Sequence, residues 1–90
     1  MFNASQRDRL HEALLNRAED TNTKRAEARI LKRAASDRRI FDRLLDKKEA
    51  QLRKENPKAA DGTILKLLLD WLSNGGLAQI IALIMQFIPK

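Results

Sequence analysis

The single histidine is the first residue that could carry acid–base chemistry, because an imidazole titrates near neutral pH. His11 stands beside Glu12, and the chain contains no cysteine. Catalysis needs several acids, bases, nucleophiles or metal ligands that converge in one pocket. No nucleophile–base set, glycine-rich phosphate loop or metal-ligand spacing accompanies this histidine. We therefore interpret His11 as a surface residue and expect no catalysis, no cofactor, no metal and no small-molecule substrate.

A run of basic residues between positions 24 and 43 could neutralise phosphates or carboxylates. Eight basic residues stand against three acidic ones there, a net charge of +5, and the whole chain carries +6. Arginine predominates, and its planar guanidinium suits oxyanion ligands. The run predicts contact with an anionic partner through Lys24, Arg25, Arg29, Lys32, Arg33, Arg38, Arg39 and Arg43. A charge run is also typical of an ordinary solvated helix face, and nucleic acid is one of several partners that it would suit.

The segment from Ile64 to Ile88 is the strongest apolar signal, since 17 of its 25 residues are apolar. One interpretation is a transmembrane helix, which the length allows but which Lys66, Asp70 and a Ser-Asn-Gly-Gly break oppose. A second is a pair of short helices in a membrane interface. The third, which we favour, is a helical hairpin buried against protein, because a 12-residue apolar run is more typical of a buried helix.

The apolar segment also supplies the residues that we expect to contact a partner protein or a membrane. They are the large apolar side chains of its two halves: Leu65, Leu68, Leu69, Trp71, Leu72, Ile80, Ile81, Leu83, Ile84, Phe87 and Ile88. A partner protein, either another copy or a larger assembly, is the first expectation. Membrane and nucleic acid are the alternatives.

Helical periodicity runs through the whole chain and predicts an all-α fold that positions these residues. Leu10 and Leu14 indicate a short N-terminal helix from about residue 4 to 20. A long amphipathic basic helix should follow from about residue 24 to 55, and it ends at Asn56-Pro57 because proline cannot continue a helix. These two helices form a basic arm over residues 1–55.

The remaining elements are a linker over residues 56–63 and an apolar C-terminal helical hairpin over residues 64–90, broken near 73–76 by two glycines. The long helix would extend about 45 Å, too far for the rest of so small a chain to cover. It should therefore pack against a partner, either another copy or a different protein, through an apolar stripe made of Ile30, Ala34, Phe41, Leu44, Leu45 and Leu52.

These features favour a non-catalytic structural or adaptor subunit of a larger assembly, of which a virus particle is one example. It would attach through its apolar C-terminal segment and turn its basic arm towards a negative surface. A C-terminally membrane-anchored or membrane-surface-binding protein is one alternative, and a nucleic-acid-binding protein is another. The first residues lack the apolar core of a secretory signal, so we expect an intracellular protein or a component of an assembled particle.

Overall fold

Five helices make up the computed structural model, which describes residues 2–88. They are α1 (Ala4–Glu19), α2 (Arg25–Ser36), α3 (Arg38–Glu55), α4 (Asp61–Asn74) and α5 (Leu77–Phe87). The described residues contain no strand, so the prediction of an all-α fold is confirmed. The predicted short N-terminal helix is α1, which begins with a capping box between Asn3 and Gln6.

The prediction of one long helix from 24 to 55 is wrong at its middle. Asp37 leaves the helical conformation (φ −100°, ψ 107°), so that α2 ends before it and α3 begins after it. Its carboxylate accepts a hydrogen bond of 3.0 Å from the backbone N–H of Arg39, which caps α3. The aspartate that interrupts the apolar stripe in the sequence is therefore the start of a new helix.

A single hydrophobic core draws side chains from all five helices. α4 packs against α1 and α3, whereas α5 packs against α2 and α3. The fully buried large side chains are Leu10, Leu14, Leu31, Ile40, Leu44, Leu45, Ile64, Leu68, Leu72, Ile80 and Ile84. The C-terminal segment therefore fills the interior that the N-terminal helices enclose.

α4 and α5 form a corner rather than a closely packed hairpin, because the chain bends by 101° at the break between them. Gly75 ends α4, and its N–H donates a hydrogen bond of 2.8 Å to the carbonyl oxygen of Trp71. Arg17 secures the corner from α1, donating to the carbonyl oxygens of Leu72 at 3.2 Å and of Gly75 at 2.9 Å. A cation at this position stabilises the end of α4, where backbone carbonyls have no helical partner.

α4 begins at Asp61, three residues before the predicted start of the apolar segment at Ile64, and an ion pair marks this start. The guanidinium of Arg53 donates to Asp61 at 2.8 Å and to Glu49 at 3.0 Å. The hydrogen bond from Arg53 lowers the pKa of the Asp61 carboxyl. The pair is solvent-exposed, so it orients the α3–α4 connection and contributes little to stability.

Gly75→Ala should destabilise the fold, because an added Cβ would lie 2.7 Å from Cδ1 of Trp71 and closer still to its carbonyl oxygen. A backbone oxygen cannot move aside cheaply, so we expect a loss of about 1–3 kcal/mol in the free energy of unfolding, measured by denaturant titration. Gly76→Ala is the matched control, since its Cβ would meet nothing within 4 Å. Its effect should stay within about 0.5 kcal/mol, and equal losses in both variants would contradict the packing.

A chain truncated after Ala60 should fail to fold, because it loses the core side chains of α4 and α5. Chains of this length bury too little surface to offset such a loss. Circular dichroism should show a lower helical signal per residue and no cooperative thermal transition. A sharp transition in the truncated chain would instead show that the first three helices form a domain of their own.

Candidate functional site

The predicted anion-contact residues all lie on the surface. The basic face, as we call them together, consists of Lys24, Arg25, Arg29, Lys32, Arg33, Arg38, Arg39 and Arg43, and every member is exposed. The four members within α2 fall in a sector of about 100°, because residues four and seven apart lie on one side of a helix. The opposite side of α2 carries Leu31, Ala34 and Ala35 into the core. The fold therefore turns these cations to solvent.

The three acidic residues of the same stretch each accept a hydrogen bond from elsewhere in the fold. Glu27 accepts a hydrogen bond of 3.3 Å from the backbone N–H of Lys24, and Asp37 caps α3. Asp42 accepts a hydrogen bond of 2.6 Å from Arg7, which ties α3 to α1. Within residues 2–88, Arg38 is the one member of the basic face whose charged group lies within 4.0 Å of a carboxylate, and its side chain in this 3.8 Å pair is highly exposed. The stretch therefore keeps a net charge of +5, and Arg7 from α1 offsets the charge of Asp42.

The predicted partner-contact residues divide into two groups. The buried group belongs to the chain's own core and consists of Leu65, Leu68, Trp71, Leu72, Ile80 and Ile84. The partly buried group packs at the edge of that core and consists of Leu69, Ile81, Leu83, Phe87 and Ile88. In this fold a partner can reach only the second group, four of which belong to α5 or follow it directly.

The outer surface of α5, as we define it, consists of Ala78, Gln79, Ala82, Met85 and Gln86, all of which are exposed. No charged residue occurs between Leu77 and Ile88. Met85 is 54% exposed, which makes it the most exposed large hydrophobic side chain among residues 2–88. Met85 lies three residues from both Ala82 and Ile88.

The basic face meets the outer surface of α5 at the C-terminal end of that helix. Arg39, Ile40 and Arg43 line a shallow cleft of about 190 Å³ together with Asp37 and Phe87. One turn further along α3, Lys47 Nζ lies 5.9 Å from the centre of the Phe87 ring and donates a hydrogen bond of 3.0 Å to Gln86 Oε1. The same surface therefore presents cations beside uncharged and apolar side chains.

His11 has a structural position that the sequence did not predict. It is half-buried, and Nε2 donates a hydrogen bond of 2.7 Å to the carbonyl oxygen of Ala35 near the end of α2. Its ring packs edge-to-face on Phe41, with centroids 5.3 Å apart. It lines a cleft of about 380 Å³ with Arg7 and Asp42. The interpretation of His11 as a surface residue is wrong, because the imidazole joins α1 to the end of α2.

Lys48 and Trp71 form a second interaction that sequence reasoning missed. Lys48 is only 7% exposed, and its Nζ lies 4.9 Å from the centre of the Trp71 ring. The ammonium donates to Gln51 Oε1 at 3.2 Å, and the indole N–H donates to Gln79 Oε1 at 2.9 Å. The sequence signal for such a contact is a lysine within the apolar stripe of one helix together with a tryptophan on another apolar helix. Trp71 is therefore an internal anchor in this fold.

The predicted helix-packing stripe faces the interior in both halves of the broken helix. Ala34, Phe41, Leu44 and Leu45 are buried, whereas Ile30 and Leu52 pack against the edge of the core.

Among residues 2–88, no three histidine or acidic side chains are placed to hold a metal ion. No single helix in this range meets the length and hydropathy of a membrane span, although the bent pair α4 and α5 meets them together.

Comparison with known proteins identifies no relative. No protein-family model, curated protein or solved structure matches the chain.

Lysine acetylation should distinguish the two kinds of lysine in this structure. Lys24 and Lys32 on the basic face should react rapidly with acetic anhydride, whereas Lys48 should react several-fold more slowly because it is buried over Trp71. Peptide mass spectrometry would measure the rates, and denaturation should remove the difference. Equal rates in the folded protein would show that Lys48 does not occupy this position.

Proposed function

We propose that this protein is a small non-catalytic adaptor that docks on a negatively charged macromolecular surface through the basic face. One observation carries the proposal: eight cations are exposed on α2 and the start of α3, while the acidic residues of the same stretch serve caps and an ion pair. A solvated face that only kept the protein soluble would not need this separation of charge, since interspersed signs serve that purpose.

Rigid presentation favours a docking role for the basic face. The cations of α2 project from a helix whose other side is fixed in the core by Leu31 and Ala34, so their relative positions are set by the fold. Arginine accounts for six of the eight, and its fork of N–H donors pairs with phosphate or carboxylate oxygens. At physiological ionic strength the field of these charges extends about 8 Å, far enough to guide a polyanionic surface into contact.

The composition of the basic face narrows the kind of partner. It contains no aromatic side chain on which a base could stack, which disfavours sequence-tolerant binding of single-stranded nucleic acid. The surfaces that remain are those that present a regular array of anions, such as lipid headgroups, duplex nucleic acid or an acidic protein. The C-terminal segment also offers a partner fewer residues than predicted, because six of its eleven predicted contact residues lie in the chain's own core.

Reversing two charges on the basic face should abolish most polyanion binding. We expect the double variant Arg29→Glu, Arg33→Glu to bind heparin and duplex DNA about tenfold or more weakly, with a shallower dependence on salt, because each lost anion contact reduces counterion release. Fluorescence anisotropy across a salt series would measure both quantities.

The matched control for this variant is Arg9→Glu, Lys66→Glu, which changes the net charge equally at two exposed positions outside the basic face. Its affinity should fall about threefold or less, because only the long-range field is reduced. Equal losses in the two double variants would mean that net charge alone drives binding, and the proposed docking face would then be wrong.

A further inference from the structure

We infer that the negatively charged surface is a bilayer rich in anionic phospholipid, and that the outer surface of α5 enters its interface while the neighbouring cations contact the headgroups. This inference rests on the proposed function and adds a second contact surface to it. The contact lies on one face of the bilayer and does not require any part of the chain to cross it.

The apolar part of the proposed contact surface lies on α5. No side chain from Leu77 to Ile88 carries a charge, and Met85 is 54% exposed at one edge of the outer surface. Ile81 and Leu83 are partly exposed on the two flanks of that surface. Burial of apolar side chains at the boundary of headgroups and acyl chains is the driving force by which an interfacial helix binds. The outer surface of α5 offers such side chains without a charge to desolvate.

The cationic part of the proposed contact surface lies on α3, which packs alongside α5. Arg39, Arg43 and Lys47 recur at every fourth residue, so they form one exposed row on this helix. Phe87 contacts the row, because it shares a cleft with Arg39 and Arg43 and lies under the ammonium of Lys47. Long cationic side chains reach headgroups while apolar neighbours sit deeper, and each cation near an anionic leaflet contributes about 1 kcal/mol.

The polar groups of α5 favour lipid over a protein partner. The side-chain oxygen of Gln79 already accepts from Trp71, and that of Gln86 already accepts from Lys47. A protein interface needs about one hydrogen bond per 100–200 Å² of buried area, whereas an apolar helix in a lipid interface needs none from its buried side. The side chains of the outer surface of α5 therefore offer another protein no charge, and their remaining donors are the amide N–H groups of these two glutamines.

The cations also disfavour a second copy of this chain as the occupant. Pairing two α5 surfaces about a two-fold axis makes the same patch face itself, so two rows of Arg39, Arg43 and Lys47 would border one interface. Like charges at such a distance are repulsive, and no acidic side chain of α5 compensates them. An anionic surface satisfies the same row of cations directly.

Site-specific labelling tests this inference, because the chain has no cysteine of its own. An environment-sensitive dye on the Met85→Cys variant should brighten and shift to the blue with vesicles of phosphatidylcholine and phosphatidylserine, and not with phosphatidylcholine alone. The control is the same dye on Asn16→Cys, an exposed position of α1, whose main packing partners are α2 and α4. That dye should not respond to either kind of vesicle.

A second variant tests the cation row independently of the dye. Arg43→Glu, Lys47→Glu should reduce sedimentation with the mixed vesicles about tenfold, because two of the headgroup contacts are lost and reversed. The protein with Arg9→Glu, Lys66→Glu should sediment within about threefold of the unmodified chain, since its charge changes lie elsewhere.

The possible results separate the inference from the proposed function. Sedimentation with vesicles but no dye response at Met85→Cys overturns the insertion of α5. Binding to heparin but not to mixed vesicles overturns the lipid inference and leaves the proposed function standing, whereas binding to neither overturns both. A dye response to polyglutamate without one to vesicles would identify an acidic protein as the partner and overturn the lipid inference.

Discussion

The cap that Asp37 places on α3 is the interaction on which the rest of the structure depends. Without a break, a helix of roughly 30 residues would extend about 45 Å and could not close around a core within this chain. The carboxylate that accepts from the Arg39 N–H lets the backbone leave one helix and start another. The two shorter helices can then enclose α5, while α1 and α4 cover the other side of α3 and α2. One short polar side chain thus turns a rod into an enclosed fold.

Helix starts and an inter-helix contact occupy the acids of the basic stretch. Glu27 and Asp37 accept from backbone N–H groups at the starts of α2 and α3, and Asp42 pairs with Arg7 of α1. Helix starts favour acids because backbone N–H groups there lack partners. The cations of the basic face have no comparable task within the fold and remain in solvent. A stretch that appears mixed in the sequence therefore becomes a positive surface.

The C-terminal segment shows how far sequence reasoning can reach. Its apolar character and its break at Gly75 and Gly76 were evident, and the structure ends α4 and begins α5 around those glycines. What covers its apolar faces was not evident, because a buried helix and an interfacial helix have the same composition over this length. The contacts of Lys48 and His11 were not predicted for a related reason. A lysine on an apolar stripe and a lone histidine reveal their partners, Trp71 and Ala35, only when distant helices meet.

The sequence by itself determined the helical class, the approximate ends of α1, the position of the basic run and the neutrality of the last segment. These follow from local rules, since periodicity, capping residues, proline and charge act within a few positions of the chain. Only the tertiary structure decided that the two parts share one core, that the acids of the basic stretch serve caps and an ion pair, and that Phe87 lies beside a row of cations. Each of these depends on contacts between residues far apart in the chain, and burial against another helix leaves no local signature. The division between a basic part and an apolar part is therefore real in composition, while in three dimensions one side of the apolar part shares a core with the basic part.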